Sequence, residues 1–226
     1  MKRLMTLMIV AMISVISFAQ NDVTKFLGIP VDGTVEEMKA KLIQKGFKED
    51  NGGLGNLIGR FNGKDVNVFI VENKGKVYRI MVSDQRAVGE TDIRIQFNNL
   101  YSQFLNNNKY LPVNQDTSYM IPSTEDISYE MTVNNKRYEA DFYQSNTDTT
   151  YIRRCIIETA LAKYGKEQVM TLSKEQWDNL MPLVLEREMN DLQKRIVWFM
   201  ISGAFGRYYL TIFYDNCYNM ANGEDL

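Results

Sequence analysis

Apolar residues recur every three or four positions in several segments of the chain, which is the spacing of one face of an α-helix. The first such segment begins at Thr34, which with Glu37 forms the pattern of a capping box. The same spacing predicts a second helix from Thr91, a third from about Thr150 to Tyr164, and a fourth after Ser173. These segments predict amphipathic helices that each bury one face.

Strand-like segments stand between the helical ones, and some alternate apolar with polar residues. Asn62-Gly63, a strong signal for a two-residue hairpin turn, separates two of them and would place Arg60 opposite Asp65. The predicted strands around this turn and later in the chain are Leu57–Phe61, Lys64–Val71, Val77–Val82, Ile196–Ser202 and Arg207–Tyr214.

A further hairpin is predicted over Ile127–Gln144, because apolar and polar residues alternate on both sides of Asn134-Asn135. In that register Glu130 lies opposite Glu139, and Arg137 is close enough to neutralise both. The candidate site residues on its polar face are Glu130, Arg137, Glu139, Asp141 and Tyr143. They form either a solvated sheet face, a binding face with Tyr143 as an aromatic contact, or a carboxylate cluster of the kind that glycosidases and calcium sites use.

Two pairs of strands in the chain are similar to each other. Val66–Val71 aligns without gaps with Val197–Ser202. The turn after each of these strands also aligns, and an aspartate follows each turn at the same distance. The aligned positions after the first strands are Gly75–Tyr78 with Gly206–Tyr209 and Asp84 with Asp215. The patterns together predict an α+β fold, an antiparallel sheet built from hairpins with helices packed on one face. The sheet could consist of two related halves, about 20–110 and 120–226, or of hairpins that are alike only in composition.

The amino terminus has the layout of a secretory signal peptide. Lys2 and Arg3 precede an apolar run, Leu4–Ser17, and Ser17-Phe18-Ala19 offers a cleavage site before Gln20. Residues 1–19 are therefore predicted to be removed, leaving one α+β domain over residues 20–226. We expect an exported protein, periplasmic or extracellular, without stable insertion in a membrane.

Composition narrows the classes of function. The chain contains no histidine, which excludes Ser-His-Asp and Cys-His catalysis and zinc sites that use histidine. Loss of Lys2 and Arg3 would lower the net charge from −2 to about −4, so nucleic acid is not an expected partner. We predict no cofactor and no metal site. The end of the chain, Asp215–Leu226, is dense in oxygen ligands but lacks EF-hand spacing, and it predicts a turn capped by Asn side chains. In an exported protein Cys155 and Cys217 can form a disulfide or remain two thiols.

Three segments, Lys25–Phe47, Val77–Asp84 and Gly206–Leu226, resemble uncharacterised exported proteins of Bacteroides-type bacteria. The order of helix and antiparallel strands resembles, more loosely, the fold of beta-lactamase inhibitor proteins, which bind a partner through a concave sheet. The second resemblance implies a sheet face that binds a partner, but a shared architecture does not establish a shared function. We expect a non-catalytic binding protein for a protein or an envelope component. The alternatives are a carboxylate-dependent hydrolase of a polysaccharide, with Glu130 and Glu139 or Asp141 as acid and base, and a purely structural envelope protein.

Overall fold

Antiparallel pairing organises most of the chain in the computed structural model, which describes residues 22–50, 52, 55–115, 118–145 and 149–221. The chain divides into two units. The sheet unit is Val23–Ser145 with Lys194–Leu226, and the helical unit includes Asn146–Gln193. The predicted signal peptide, residues 1–19, lies outside the described residues.

The sheet unit contains a small sheet and a large one. β1 (Lys25–Phe26) pairs with β2 (Ile29–Pro30), and the other eight strands form one sheet in the order β3-β4-β5-β6-β10-β9-β8-β7. Every neighbouring pair in the large sheet is antiparallel. Its strands are β3 (Lys48–Glu49), β4 (Leu57–Phe61), β5 (Lys64–Asn73), β6 (Lys76–Asp84), β7 (Tyr110–Pro112), β8 (Glu139–Gln144), β9 (Arg195–Ala204) and β10 (Arg207–Asn216). The Asn62-Gly63 hairpin is confirmed, with Arg60 opposite Asp65.

The described residues of the sheet unit form three helices: α1 (Val35–Gln44), α2 (Glu90–Leu105) and α3 (Ile127–Thr132). The capping box at Thr34 is confirmed, because its side chain accepts from the Glu37 N–H and the Glu37 carboxylate accepts from the Thr34 N–H. The helices place their buried residues in one core with the sheet, which confirms the α+β fold. The helical residues of this core are Met38, Leu42, Ile93, Phe97, Leu100, Tyr101, Phe104 and Ile127.

The helical unit has a small core of its own. Its described residues include α4 (Thr149–Gln168), a short 3₁₀ turn, and α5 (Lys174–Leu192), and α5 begins with the predicted capping box at Ser173. Its buried apolar residues are Ala160, Val169, Leu180 and Val184. Gly165, at φ 75°, interrupts α4 close to the end predicted at Tyr164.

The predicted hairpin over Ile127–Gln144 is wrong in its first half, which is the helix α3. Asp126 caps this helix by accepting from the N–H of Tyr129 at 2.8 Å. Ile127 and Met131, which fit an alternating strand, are also one helical turn apart and both pack into the core. The helix is favoured because the Asp126 side chain satisfies the N–H of Tyr129 locally, whereas in a strand this N–H would need a partner on a neighbouring strand. Only the second half survives as a strand, β8.

The strand order is symmetric about the central β6–β10 pair. The two hairpins that align in sequence, β5–β6 and β9–β10, therefore occupy equivalent positions on either side of the centre. In the first half, the turn Asn62-Gly63 connects β4 to β5. In the second half, the equivalent connection, from β8 to β9, is the segment Asn146–Gln193 of the helical unit. The relation of the two halves by duplication stays a prediction.

Asparagine side chains cap the turn after β10, as predicted for this segment. Asn216 Oδ1 accepts from the N–H of Tyr218 at 3.1 Å, and Asn216 Nδ2 donates to the carbonyl of Val31 at 2.8 Å. Asn219 Nδ2 donates at 2.8 Å to Asp32 Oδ1. These bonds join the end of β10 to the segment after β2; residues 222–226 lie outside the described part of the chain.

Tyr208 on β10 is fully buried, and in the described part of the chain its hydroxyl group has no hydrogen-bond partner. A buried hydroxyl without a partner loses its hydration and gains nothing in return. We therefore expect Tyr208→Phe to raise the free energy of unfolding by about 1 kcal/mol, measured by urea denaturation. In the matched control, Tyr138→Phe, the lost hydroxyl donates to the Glu125 carboxylate at 2.5 Å, and stability should fall by about 2 kcal/mol. Equal losses in both variants would contradict this account of Tyr208.

Candidate functional site

The large sheet has a second face, formed by the side chains that alternate with the core residues of each strand. One row of this face crosses five adjacent strands, because each of its residues stands opposite the next in the strand register. We call it the central row, and its members from β8 to β5 are Asp141, Trp198, Phe213, Met81 and Phe69. Four consecutive apolar side chains and one carboxylate thus lie across about 19 Å of sheet.

Two rings at the middle of the central row form a stacked pair. The centroids of Trp198 and Phe213 are 3.9 Å apart, and their planes differ by 9°. Phe213 is 7 % exposed, whereas Trp198, Met81 and Phe69 are half-buried. The row therefore combines a rigid aromatic centre with neighbouring apolar surface that water still reaches.

An ion pair flanks the central row on one side. Arg79 on β6 stands directly opposite Asp215 on β10, and Nε and Nη2 donate to the two carboxylate oxygens at 2.6 and 2.7 Å. Trp198 Nε1 donates to the same carboxylate at 2.9 Å. The hydrogen bonds that Asp215 accepts raise the pKa of the Arg79 guanidinium above its ordinary value, although burial opposes this.

Aromatic rings surround this guanidinium as well. Its central carbon lies 5.2 Å from the centroid of Phe213 and 5.6 Å from those of Trp198 and Tyr78. At these distances the cation is attracted to the ring faces. Arg79, Asp215, Trp198 and Phe213, which we call the Arg79 cluster, are thereby held in one arrangement.

Small polar side chains flank the central row on its other side. Thr211 on β10 stands opposite Ser83 on β6, and its hydroxyl group donates to that of Ser83 at 3.2 Å. Met200 and Glu139 continue this flanking row toward β8. The second face thus has an apolar central row, and the rows that flank it mix polar, charged and apolar residues.

The structure brings four of the five predicted site residues to the β8 end of this face. The second face of β8 carries Glu139, Asp141 and Tyr143. Arg137 precedes this strand, and its Nη2 is 2.7 Å from the Glu139 carboxylate. Burial, with a smaller effect of Glu139, raises the pKa of Asp141, and Arg137 opposes this shift. Glu130 is not opposite Glu139 as predicted, because it lies on α3, where it accepts from Asn134 Nδ2 at 3.0 Å.

The patterns in the sequence do not predict the Arg79 cluster as a site. The last predicted strand, Arg207–Tyr214, has aromatic residues at alternate and adjacent positions and is therefore apolar on both faces, which is typical of a central strand in a core. The one signal for Asp215 is its alignment with Asp84 in the two similar strand pairs. Pairing β6 with β10 is what brings Arg79 and Asp215 together.

Both cysteines are free thiols in the structure. Cys155 is buried in α4 of the helical unit, and Cys217 follows β10, where burial raises the pKa of its thiol. The alternative of two thiols is therefore what the structure contains, and the disulfide between them stays a prediction.

Comparison with protein-family models, with curated proteins and with solved structures found no match for this chain. Within the described ranges, no helix has the length and apolar character that crossing a membrane requires. No group of three or more His, Cys, Asp or Glu side chains among the described residues could hold a metal ion.

Proposed function

We infer that this chain is a non-catalytic binding protein, and that the second face of its sheet binds a protein partner. The observation that carries this proposal is the central row, in which four apolar side chains adjoin one another on the face opposite the core. Adjoining half-buried aromatic and thioether groups on a sheet face away from the core are typical of a surface that meets a partner.

The composition of the second face supports a protein as the partner. Protein interfaces are enriched in aromatic residues, Met and Arg at their centre and have polar rims. The second face resembles this arrangement, with Trp198 and Met81 in the central row, Arg79 beside that row, and Arg137 and Glu139 at one border. An arginine already held by a carboxylate loses little side-chain entropy on binding, which favours affinity.

Export of residues 20–226 is part of this proposal and rests on the signal-peptide pattern of residues 1–19. The partner would then be a protein of the cell envelope or of the exterior. The hydrolase alternative pairs Glu130 with Glu139 or Asp141, but Glu130 lies on α3, whereas Glu139 and Asp141 lie on β8. We favour binding because a glycosidase needs two carboxyl groups on either side of the bond that it cleaves.

Capture from an envelope extract tests the proposal with immobilised residues 20–226 as bait. We expect the double variant Phe69→Ser/Met81→Ser to reduce the captured amount of a partner at least about tenfold, because it removes two apolar contacts from the central row. A second double variant, Arg137→Ala/Tyr143→Ala, tests the β8 border and should weaken capture less.

The matched control is Ile43→Ser/Ile95→Ser, which removes two exposed apolar side chains from α1 and α2. This control should capture as much as the unmodified chain. Capture that both double variants of the second face leave unchanged would refute the site, and capture lost equally in the control would refute its location on this face.

A further inference from the structure

A cavity of about 160 Å³ lies in the sheet unit between α2 and the core face of the sheet. Its inner wall is apolar and comes from four strands and one residue of α2: Phe61, Val66, Val82, Leu210, Ile212 and Leu100. It is on the opposite side of the sheet from the central row, because Val82 and Ile212 belong to the core. A ligand of this cavity would therefore be independent of the partner of the second face.

Polar side chains line the mouth of the cavity and form two bridges from the β4–β5 hairpin to α2. Lys64 Nζ donates to Gln96 Oε1 and to Asp84 Oδ2, both at 2.6 Å. Asn62 Nδ2 donates to Gln103 Oε1 at 2.7 Å. The bridges are made by long or exposed side chains, so they can open without moving the backbone.

We propose that this cavity binds a compact, neutral organic molecule with an apolar ring or branched body and one hydroxyl or amide group. The size follows from the volume, since a cavity of about 150 Å³ with apolar walls accommodates benzene. The apolar body would replace water against the inner wall, and the free energy gained is proportional to the apolar area removed from water.

The neutrality of the ligand follows from the charges at the mouth. Lys64 and Asp84 already neutralise each other, and the Asp84 side chain is only 12 % exposed. An anionic head group would meet the Asp84 carboxylate, and a cationic one would meet the Lys64 ammonium group. The amides of Gln96 and Gln103 can donate to and accept from a hydroxyl group, so a neutral polar group is the one that this mouth satisfies.

Three probes that share a toluene body test the proposal by NMR of the labelled methyl groups of Val66, Val82 and Leu100 in the full chain. The probes are p-cresol, toluene, which lacks the hydroxyl group, and 4-methylbenzoate, which carries a charge. We expect saturable shifts with p-cresol and at least about tenfold weaker binding of the other two probes. A difference of this size corresponds to the loss of one hydrogen bond or to the desolvation of an unpaired charged group. Absence of saturable methyl shifts with p-cresol would overturn the site, and equal affinity for all three probes would overturn the ligand class.

A variant at the mouth separates binding in this cavity from binding elsewhere. Asn99 lines the cavity and is exposed, so Asn99→Trp should block the mouth without disturbing the core and should weaken p-cresol binding at least about tenfold. The control is Ile95→Trp, at a 52 % exposed position of α2 that does not line the cavity. Unchanged affinity in Asn99→Trp, or an equal loss in Ile95→Trp, would overturn the proposal.

Discussion

Arg79→Ala should lower the free energy of unfolding of the sheet unit by about 3 to 5 kcal/mol, the usual cost of removing one partner of a buried ion pair. The cost is large because the Asp215 side chain is only 5 % exposed and, among the described residues, would retain one side-chain donor, Trp198 Nε1. Urea denaturation in a Trp177→Phe background measures the effect. Trp198 is then the sole tryptophan and reports on the strand that carries it.

The matched control is Arg60→Ala. Arg60 pairs with Asp65 at 3.8 Å, but the two side chains are 76 % and 60 % exposed. An exposed pair of this kind contributes at most about 1 kcal/mol. Similar losses in Arg79→Ala and Arg60→Ala would contradict the account of the Arg79 cluster as a buried and tightly bonded group.

Phe199→Ala should have an effect of similar size, about 3 to 5 kcal/mol, because it leaves a cavity at the centre of the core. The Phe199 ring is fully buried, and its centroid lies 5.1 Å from that of Phe97 and 5.4 Å from that of Phe104. The same urea denaturation measures the loss.

Phe205→Ala provides the comparison for this variant. Phe205 is 93 % exposed in the turn between β9 and β10, so its removal should change stability by no more than about 0.5 kcal/mol. A loss below about 1 kcal/mol in Phe199→Ala would mean that the core does not close around this ring as described.

Local signals in the sequence predict the elements that depend on neighbouring residues. The capping box at Thr34 and the turn Asn62-Gly63 are satisfied within a few residues, and the structure confirms both. The segment Ile127–Gln144 shows the limit of such signals. Its apolar spacing fits a strand and a helix, and the cap at Asp126 decides for the helix.

The arrangement of the second face could not be predicted from local patterns, because it depends on strand order. Arg79 and Asp215 are 136 positions apart and meet only because β6 pairs with β10. Alternation predicts which side chains share a face of one strand but not which strand lies beside it. For the same reason Glu139, Asp141 and Tyr143 are correctly predicted to share a face, whereas their neighbour Trp198 is missed.

Site-specific photo-crosslinking tests the binding face most directly. A photoreactive phenylalanine analogue would replace one residue at a time. The test positions lie on the second face of three strands and are Phe69, Tyr143 and Tyr209. The control position is Tyr129 on α3, which is 53 % exposed. The full chain would be irradiated in the cells that produce it. We predict that the three second-face positions yield a common crosslinked protein and that Tyr129 does not. Crosslinks from Tyr129 alone, or none from the three positions on the sheet, would contradict the assignment of the second face as the binding surface.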